Sequence, residues 1–362
     1  MSEQTERLSA DQRAGASLVL GGGIGLGAFE AGAIEVIASR PDVDIRSVSG
    51  ASIGAINGAI FAGNRPEDRV ARLRAFWEAI AVEAAPRAWA DPFGWADRGA
   101  LRRSWNWTNA LTTLSTGVPS LFHGRALLSG RGEGRSLYDN AVAARTLGEY
   151  IDFDLLNRGP TRFCLATSDI EKGEVVFFDT ERGERITAEH LLASSSLLTL
   201  FEPVRIGDRL LADGGLCCNV PLEAEIGPAR AARPEPLCLA IDLFTPAGPP
   251  PTALNKTVER SFDMLFGMQS RLRLMALERE WRLRAELHEA RSEPGEAPSL
   301  DLFYLSYRGS DEEAGFMKPF DLSPATIADR WEEGRRAGAR ALDLLDGVSE
   351  TKPGLRVHQV QN

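Results

Sequence analysis

Residues 18–37 read LVLGGGIGLGAFEAGAIEVI. Three apolar residues, Leu18-Val19-Leu20, run into a cluster of five glycines and then into a segment with helical spacing. A short apolar run closed by glycine predicts a buried strand, and the glycines predict a tight strand-to-helix loop. Such a loop has two chemical uses. Its bare backbone can cradle the phosphates of a dinucleotide, or it can turn N–H groups toward an oxyanion as it forms.

The residues downstream separate the two uses. Gly23, Gly25 and Ala28 satisfy the dinucleotide pattern G-x-G-x-x-A, and Asp42 or Asp44 lies near the spacing of a ribose-binding acid. Both acids precede the next apolar run, Ile45 to Gly50, and so fall at the wrong end of its strand. At the carboxyl end stands Gly50-Ala51-Ser52-Ile53-Gly54, a G-x-S-x-G motif leading into a small-residue helix. A sharp turn there lifts the serine hydroxyl above the sheet, and Gly50 and Gly54 remove side chains that would clash. The helix aims its N-terminal N–H groups at negative charge developing near Ser52. Two parallel strands then end side by side in a glycine loop and a serine elbow. On this reading the glycine loop forms an oxyanion hole.

A nucleophilic serine needs a base. His123, His190, His288 and His358 each sit outside any motif. Asp213 ends the apolar run LLAD and is followed at once by Gly214-Gly215, which sets a carboxylate in a tight turn at a strand end. Taken alone this is equally an ordinary Asp-Gly-Gly turn; beside the elbow, the catalytic reading dominates.

With these residues in place the chain resembles the patatin-like phospholipases. The resemblance runs from about Leu18 to Phe244 and includes GASIG, LATSDIEKGEVVFF, ASSSLLTLFEPV and DGGLCCNVPL in the family's order. It is greatest to a bacterial branch with a C-terminal extension of unassigned function, which residues 252–346 resemble. It implies an α/β, three-layer fold with a mainly parallel central sheet, helices on both faces and a mostly helical C-terminal extension. It also implies a Ser–Asp dyad without histidine, Ser52 as nucleophile and Asp213 as general base, and an oxyanion hole at Gly22, Gly23, Ile24 and Gly25, with no cofactor and no metal. The loop departs from the family's pattern at Ile24, where relatives carry the third glycine of their triplet.

Composition narrows the partners. The 362 residues are 43% hydrophobic and 25% charged, with a formal net charge of −10. That balance disfavours nucleic acid and anionic surfaces, save through a local basic patch. No run of 18 apolar residues is present, and Cys164, Cys217, Cys218 and Cys238 lack paired metal spacing. Reduced thiols and a cytoplasmic location are expected, with peripheral membrane contact left open. The expected organisation is a leader (1–16), a catalytic region (17–246) with a tryptophan-rich insertion at about 85–125, the extension (252–346) and a loose tail (347–362). A long helix from about Thr257 to Glu289 is predicted to carry one apolar stripe: Phe262, Leu265, Phe266, Leu272, Met275, Leu277 and Trp281.

The expected function is hydrolysis of lipid esters, phospholipase A in type, with oligomeric state open. A carboxylesterase or an intracellular polyester (polyhydroxyalkanoate) depolymerase uses the same dyad. An NAD-binding oxidoreductase, which bound nucleotide would reveal, and a catalytically silent interaction protein, which fluorophosphonate labelling would exclude, complete the alternatives.

Overall fold

The computed structural model describes residues 14–85, 99–125, 135–228, 230, 235–291, 297, 299–348 and 353–360. Strand β1 (Ala14–Leu20) and the glycine loop lead into helix α1 (Gly27–Ser39). Then come β2 (Val43–Ala51), α2 (Ile53–Ala62), α3 (Arg69–Ala79) and α4 (Gly99–Thr116). Short strands β3 (Gly117–Val118), β4 (Phe122–Gly124) and β5 (Tyr138–Asp139) form a small separate sheet. Helices α5 (Ala143–Tyr150) and α6 (Phe153–Arg158) precede the hairpin β6 (Arg162–Asp169) and β7 (Glu174–Asp179). Next are α7 (Ala188–Ser195), β8 (Val204–Ile206), β9 (Arg209–Asp213), α8 (Glu223–Ile226) and β10 (Leu237–Asp242). The chain continues through α9 (Leu254–Ala290), β11 (Ser299–Ser306), α10 (Pro324–Asp346) and β12 (Gly354–Val360).

The main sheet runs β12-β11-β10-β1-β2-β6-β9-β8, with β7 also paired to β6. Every pairing from β12 to β6 is parallel, and β6 with β7, β6 with β9, and β8 with β9 are antiparallel. The central strands are apolar throughout, as parallel strands covered on both faces must be: Leu18, Val19, Leu20, Leu239, Ala240 and Ile241 are buried. Helices α1 and α2 cover one face with Phe29, Ile34, Ile56 and Ile60 in the larger core cluster. On the other face Leu274, Leu277 and Trp281 of α9 pack with Val19, Cys238, Leu300 and Leu302.

Three sequence expectations change. Residues 14–16, assigned to the leader, belong to β1, with Ala16 paired to Ile45 and Leu237. The segment read as a loose tail contains β12, whose Gly354–Val360 pairs in parallel with β11. Its sequence GLRVHQV carries few apolar residues, and these are what the core uses: Leu355 and Val357 pack on one core cluster and Val360 is buried in the other. The C-terminal region is mostly helical but supplies strands to the same sheet. It also packs backbone to backbone on the first helix. A Cβ on Gly32 of α1 would lie 1.9 Å from Trp331 O, and one on Gly334 of α10 would lie 1.9 Å from Phe29 O.

The single apolar stripe of the long helix also needs revision. Leu277 and Trp281 are buried, whereas Phe262, Leu265, Leu272 and Met275 are exposed. At about 100° per residue these groups fall on opposite sides of α9. Of the tryptophan-rich insertion, Trp89, Phe93 and Trp95 lie outside the described residues. Trp107 is half-buried on α4, edge-on to Phe316.

Candidate active site

The hydroxyl of Ser52 donates to Oδ2 of Asp213 across 2.7 Å. Both residues are nearly covered, with 7% and 4% of their surface exposed, so water competes little for this bond.

Ser52 is the residue between β2 and α2 and has φ 55° and ψ −125°. A non-glycine residue in that region is strained and stays only where its surroundings force it. Glycine at the two flanking positions is what lets the turn close. A Cβ on Gly50 would lie 2.5 Å from the Gly54 backbone, and one on Gly54 would lie 2.4 Å from Leu20 O. The Ser52 N–H donates to Ser194 Oγ at 3.1 Å, and Ser194 donates on to Ala166 O at 2.7 Å. Helix α2 begins at Ile53, so its unpaired N–H groups and positive end lie directly behind the hydroxyl.

Asp213 ends β9, where its main-chain N–H donates to Ser196 O and its carbonyl accepts from Ser168 Oγ. Its Oδ1 accepts the Gly215 N–H at 2.7 Å, which leaves Oδ2 for Ser52. Burial pushes the carboxyl up to about 6, against the lowering pull of the bonds from Ser52 and Gly215. A carboxyl raised in this way is better suited to exchange a proton near neutral pH than an ordinary aspartate.

The glycine loop lies against this pair. A Cβ on Gly22 would come 3.0 Å from Ser52 Cβ and 2.8 Å from Asn219 Oδ1. The loop donors are not equivalent, and one expected member of the oxyanion hole is already committed. The Gly22 N–H donates to Asn219 O at 3.1 Å, because the loop runs alongside the Asn219 segment, just as Gly21 donates to Ile241 O. The chain then enters a 3-10 turn, Ile24–Leu26, capped by Gly23, whose first bond runs from Leu26 N–H to Gly23 O. The N–H groups of Ile24 and Gly25 precede that bond and have no acceptor within the turn. Ile24 takes φ 51°, a costly conformation for a β-branched side chain. Gly25 is required by the C-terminal region, since a Cβ there would lie 2.7 Å from Pro319 O.

Among the remaining sequence candidates, Gly214 packs on β6, where a Cβ would be 2.4 Å from Ala166 O. Asp42 and Asp44 lie at the amino end of β2, bonded to Arg40 and Arg46. His190 is held in the cap of α7 by Thr187, and His358 bonds Asp301, so neither serves the dyad. Among the described residues, no cluster of His, Cys, Asp or Glu is arranged to hold a metal, and no helix is long and apolar enough to cross a membrane.

The sequence reading missed Asn219 and Gln269. Asn219 is 1% exposed and sits between the two loops, with Nδ2 donating to Gly22 O at 3.4 Å. Its only sequence signal was an amide in an apolar setting, inside the motif DGGLCCNVPL. Gln269 of α9 donates to Gly215 O at 3.2 Å, and Arg273 donates to Cys217 O at 2.7 Å. No local pattern signals a contact across so much intervening chain.

A strand, a strained serine turn and an Asp-Gly-Gly turn now meet in one place. The family model described as patatin-like phospholipase matches residues 18–226, which include both members of the pair. The chain belongs to the patatin-like phospholipase family. No curated protein matches it. Among solved structures, this patatin-like chain is similar to VipD from Legionella pneumophila, at 16% identity and a TM-score of 0.41, covering 94% of this chain and 68% of that one. It is also similar to the type III effector protein ExoU, at 13% identity and a TM-score of 0.36, covering 94% of this chain and 55% of that one. A structure of the ExoU–SpcU complex from Pseudomonas aeruginosa gives 16% identity, a TM-score of 0.35, and coverage of 95% and 53%.

Proposed function

We propose that this patatin-like protein is a serine acyl hydrolase that cleaves the carboxylic ester bonds of lipids, phospholipase A in type. The observation that carries the reading is the 2.7 Å bond from Ser52 Oγ to Asp213 Oδ2 at the head of α2.

In this mechanism Asp213 is ionised above about pH 6. It accepts the Ser52 proton as Oγ attacks the ester carbonyl, and the C–O double bond opens to an oxyanion. The free N–H groups at Ile24 and Gly25, with the positive end of α2, offset the charge; each such donor is typically worth about 10²–10³ in rate. Collapse expels the alcohol, which takes the proton from Asp213. Water then attacks the acyl-serine, Asp213 accepts its proton, and the carboxylic acid leaves as Ser52 recovers its hydrogen. One carboxylate serves both half-reactions, so no histidine is required.

The test is product profiling. Wild type and Ser52→Ala are incubated with phospholipids, glycerides and short-chain polyesters, and released acids are identified by mass spectrometry. Fatty acid released from phospholipid by wild type alone is the expected result. Release from the polyester alone would move the protein to the depolymerase reading. Absence of fluorophosphonate labelling in folded wild type would remove the hydrolase reading altogether.

A further inference from the structure

The Ile24–Leu26 turn is closed from outside by the far end of the chain. A Cβ on Gly25 would meet three atoms first: Pro319 O at 2.7 Å, Leu322 Cδ2 at 3.0 Å and Arg330 Nη1 at 3.2 Å. All three belong to the C-terminal region, beyond the family-matched residues 18–226. Gly25 carries one of the two loop N–H groups that the turn leaves without an acceptor.

The segment that presses on Gly25 has little regular structure of its own. Gly315–Phe320 is a 3-10 run that contains Pro319, which has no N–H to donate. Arg330 of α10, 1% exposed, holds it from behind. Its guanidinium donates to Lys318 O at 2.7 Å and to Asp321 O at 3.0 Å, the carbonyls on either side of Pro319-Phe320. Its Nε donates to Glu313 Oε1 at 2.8 Å, and the same oxygen accepts the Tyr307 hydroxyl at 2.5 Å. The Tyr307 ring packs on Phe29 of α1, with 5.1 Å between centroids, so the contacts return to the helix that follows the glycine loop. On its other side the segment is tied to α9, where Lys318 Nζ lies 3.2 Å from Asp263 and 3.4 Å from Glu259.

A buried arginine–carboxylate pair adds little stability over apolar side chains of like volume. What it supplies is geometry. A planar guanidinium fixes several acceptors at once, which neither an apolar side chain nor the single ammonium of a lysine can match.

We propose that Arg330 is a positioning residue for ester hydrolysis: it locks Pro319 against Gly25 and so keeps the Ile24 and Gly25 N–H groups aimed at the oxyanion that forms on Ser52. The proposal rests on the hydrolase reading and gives the C-terminal region a part in it. Without the guanidinium fork, the stretch from Lys318 to Asp321 draws back, and Gly25, which has no side chain to anchor it, follows into the space. The ester still binds. The charge that develops on attack then meets misplaced donors, so the loss falls on the transition state alone.

The test compares wild type with Arg330→Lys and with the neutral pair Arg330→Met/Glu313→Gln, each checked for folding by thermal unfolding. With p-nitrophenyl butyrate, both variants should lower kcat about tenfold to a hundredfold while KM stays within about twofold. Fluorophosphonate labelling of Ser52 should slow by a similar factor. Hydrogen exchange of the peptide covering residues 21–29 should quicken in both, a readout that needs no turnover. Leu342→Ala, a buried position about three turns further along α10, is the control: it should lower the melting temperature and leave kcat at the wild-type value. If the lysine variant does not fold, the neutral pair decides. A folded variant with wild-type kcat would overturn the positioning role, as would unchanged exchange at residues 21–29 or an equal loss of kcat in Leu342→Ala. A raised KM with kcat unchanged would also overturn it, by moving Arg330 to substrate binding. In each of these cases an active, labelled wild type leaves the hydrolase reading standing. A wild type that neither labels nor hydrolyses the ester would remove that reading, and the positioning role with it.

Discussion

Two turns meet at the dyad, and they are held in different ways. The Ser52 turn is held by sterics. Gly50 packs against Gly54, Gly54 packs against Leu20 O, and the backbone has no room to relax. The Asp213 turn is held by remote polar groups: Ser168 and Ser196 from the family-matched half, and Gln269 and Arg273 from α9. The first is a rigid mount written in five consecutive residues. The second is an assembly whose parts come from across the chain. Damage to the first should be all-or-none, and damage to the second should be graded.

The largest effect is expected at the elbow. Gly54→Ala forces a methyl against a main-chain oxygen and should destabilise the fold by about 3 kcal/mol or more. Thermal unfolding and fluorophosphonate labelling would both report the loss, and a stable, fully labelled variant would refute the steric account. Asn219→Ala leaves the Gly22-to-Asn219 main-chain bond in place but opens a gap between the loops. It should lower kcat about tenfold with little change in KM, since it loosens geometry rather than removing a reacting group. Wild-type kcat would show that the amide is only packing.

A pH profile sharpens the contrast, because only the Asp213 turn carries a titrating group. Its carboxyl is raised to about 6 by burial, so kcat/KM should fall about tenfold per pH unit below that value. Stability has the opposite sense. A raised carboxyl holds its proton longer in the folded state, so this residue's contribution is full below about pH 4 and is lost as pH rises through about 6. Asp213→Asn should therefore be inactive yet more stable than wild type at pH 7, by up to about 3 kcal/mol, as chemical denaturation would measure. An Asp213→Asn protein less stable at pH 7 would contradict the burial argument. The smallest effect is expected in the glycine loop. Ile24→Gly relieves a positive φ worth about 1 kcal/mol but gives up the packing of a half-buried side chain. Its melting temperature should stay within a few degrees of wild type, and turnover within severalfold; a larger drop in turnover would give the isoleucine a part in the site.

The same contrast explains what the sequence made legible. Ser52, Gly50 and Gly54 could be read because a strand-to-helix turn is a local event, fixed by residue size and backbone freedom. Asp213 could be read because its turn is also local, although its supports are not. Asn219, Gln269 and the committed N–H of Gly22 escaped, since each owes its role to a segment brought alongside by the sheet. The long helix shows the limit of periodicity. Its pattern announced apolar positions correctly, but one stripe and two opposite faces look alike until the sheet shows which side it covers. Strand β12 was hidden for a related reason: its few apolar residues, Leu355, Val357 and Val360, reach the core only in the register that β11 gives them.

The position of β1 has a consequence for how the protein is made. Its two flanking neighbours are β2 and β10, and its Ala16 pairs with Ile45 on one side and Leu237 on the other. A ribosome adding about 5–20 residues per second completes the first pairing within seconds and cannot begin the second for about 10–40 s. During that interval the strand beside Ser52 has an unpaired edge, and α1 waits longer still for the glycines of α10. The nascent chain must be sheltered through this window, and a stop codon placed after the family-matched segment would leave the central strand permanently half-paired.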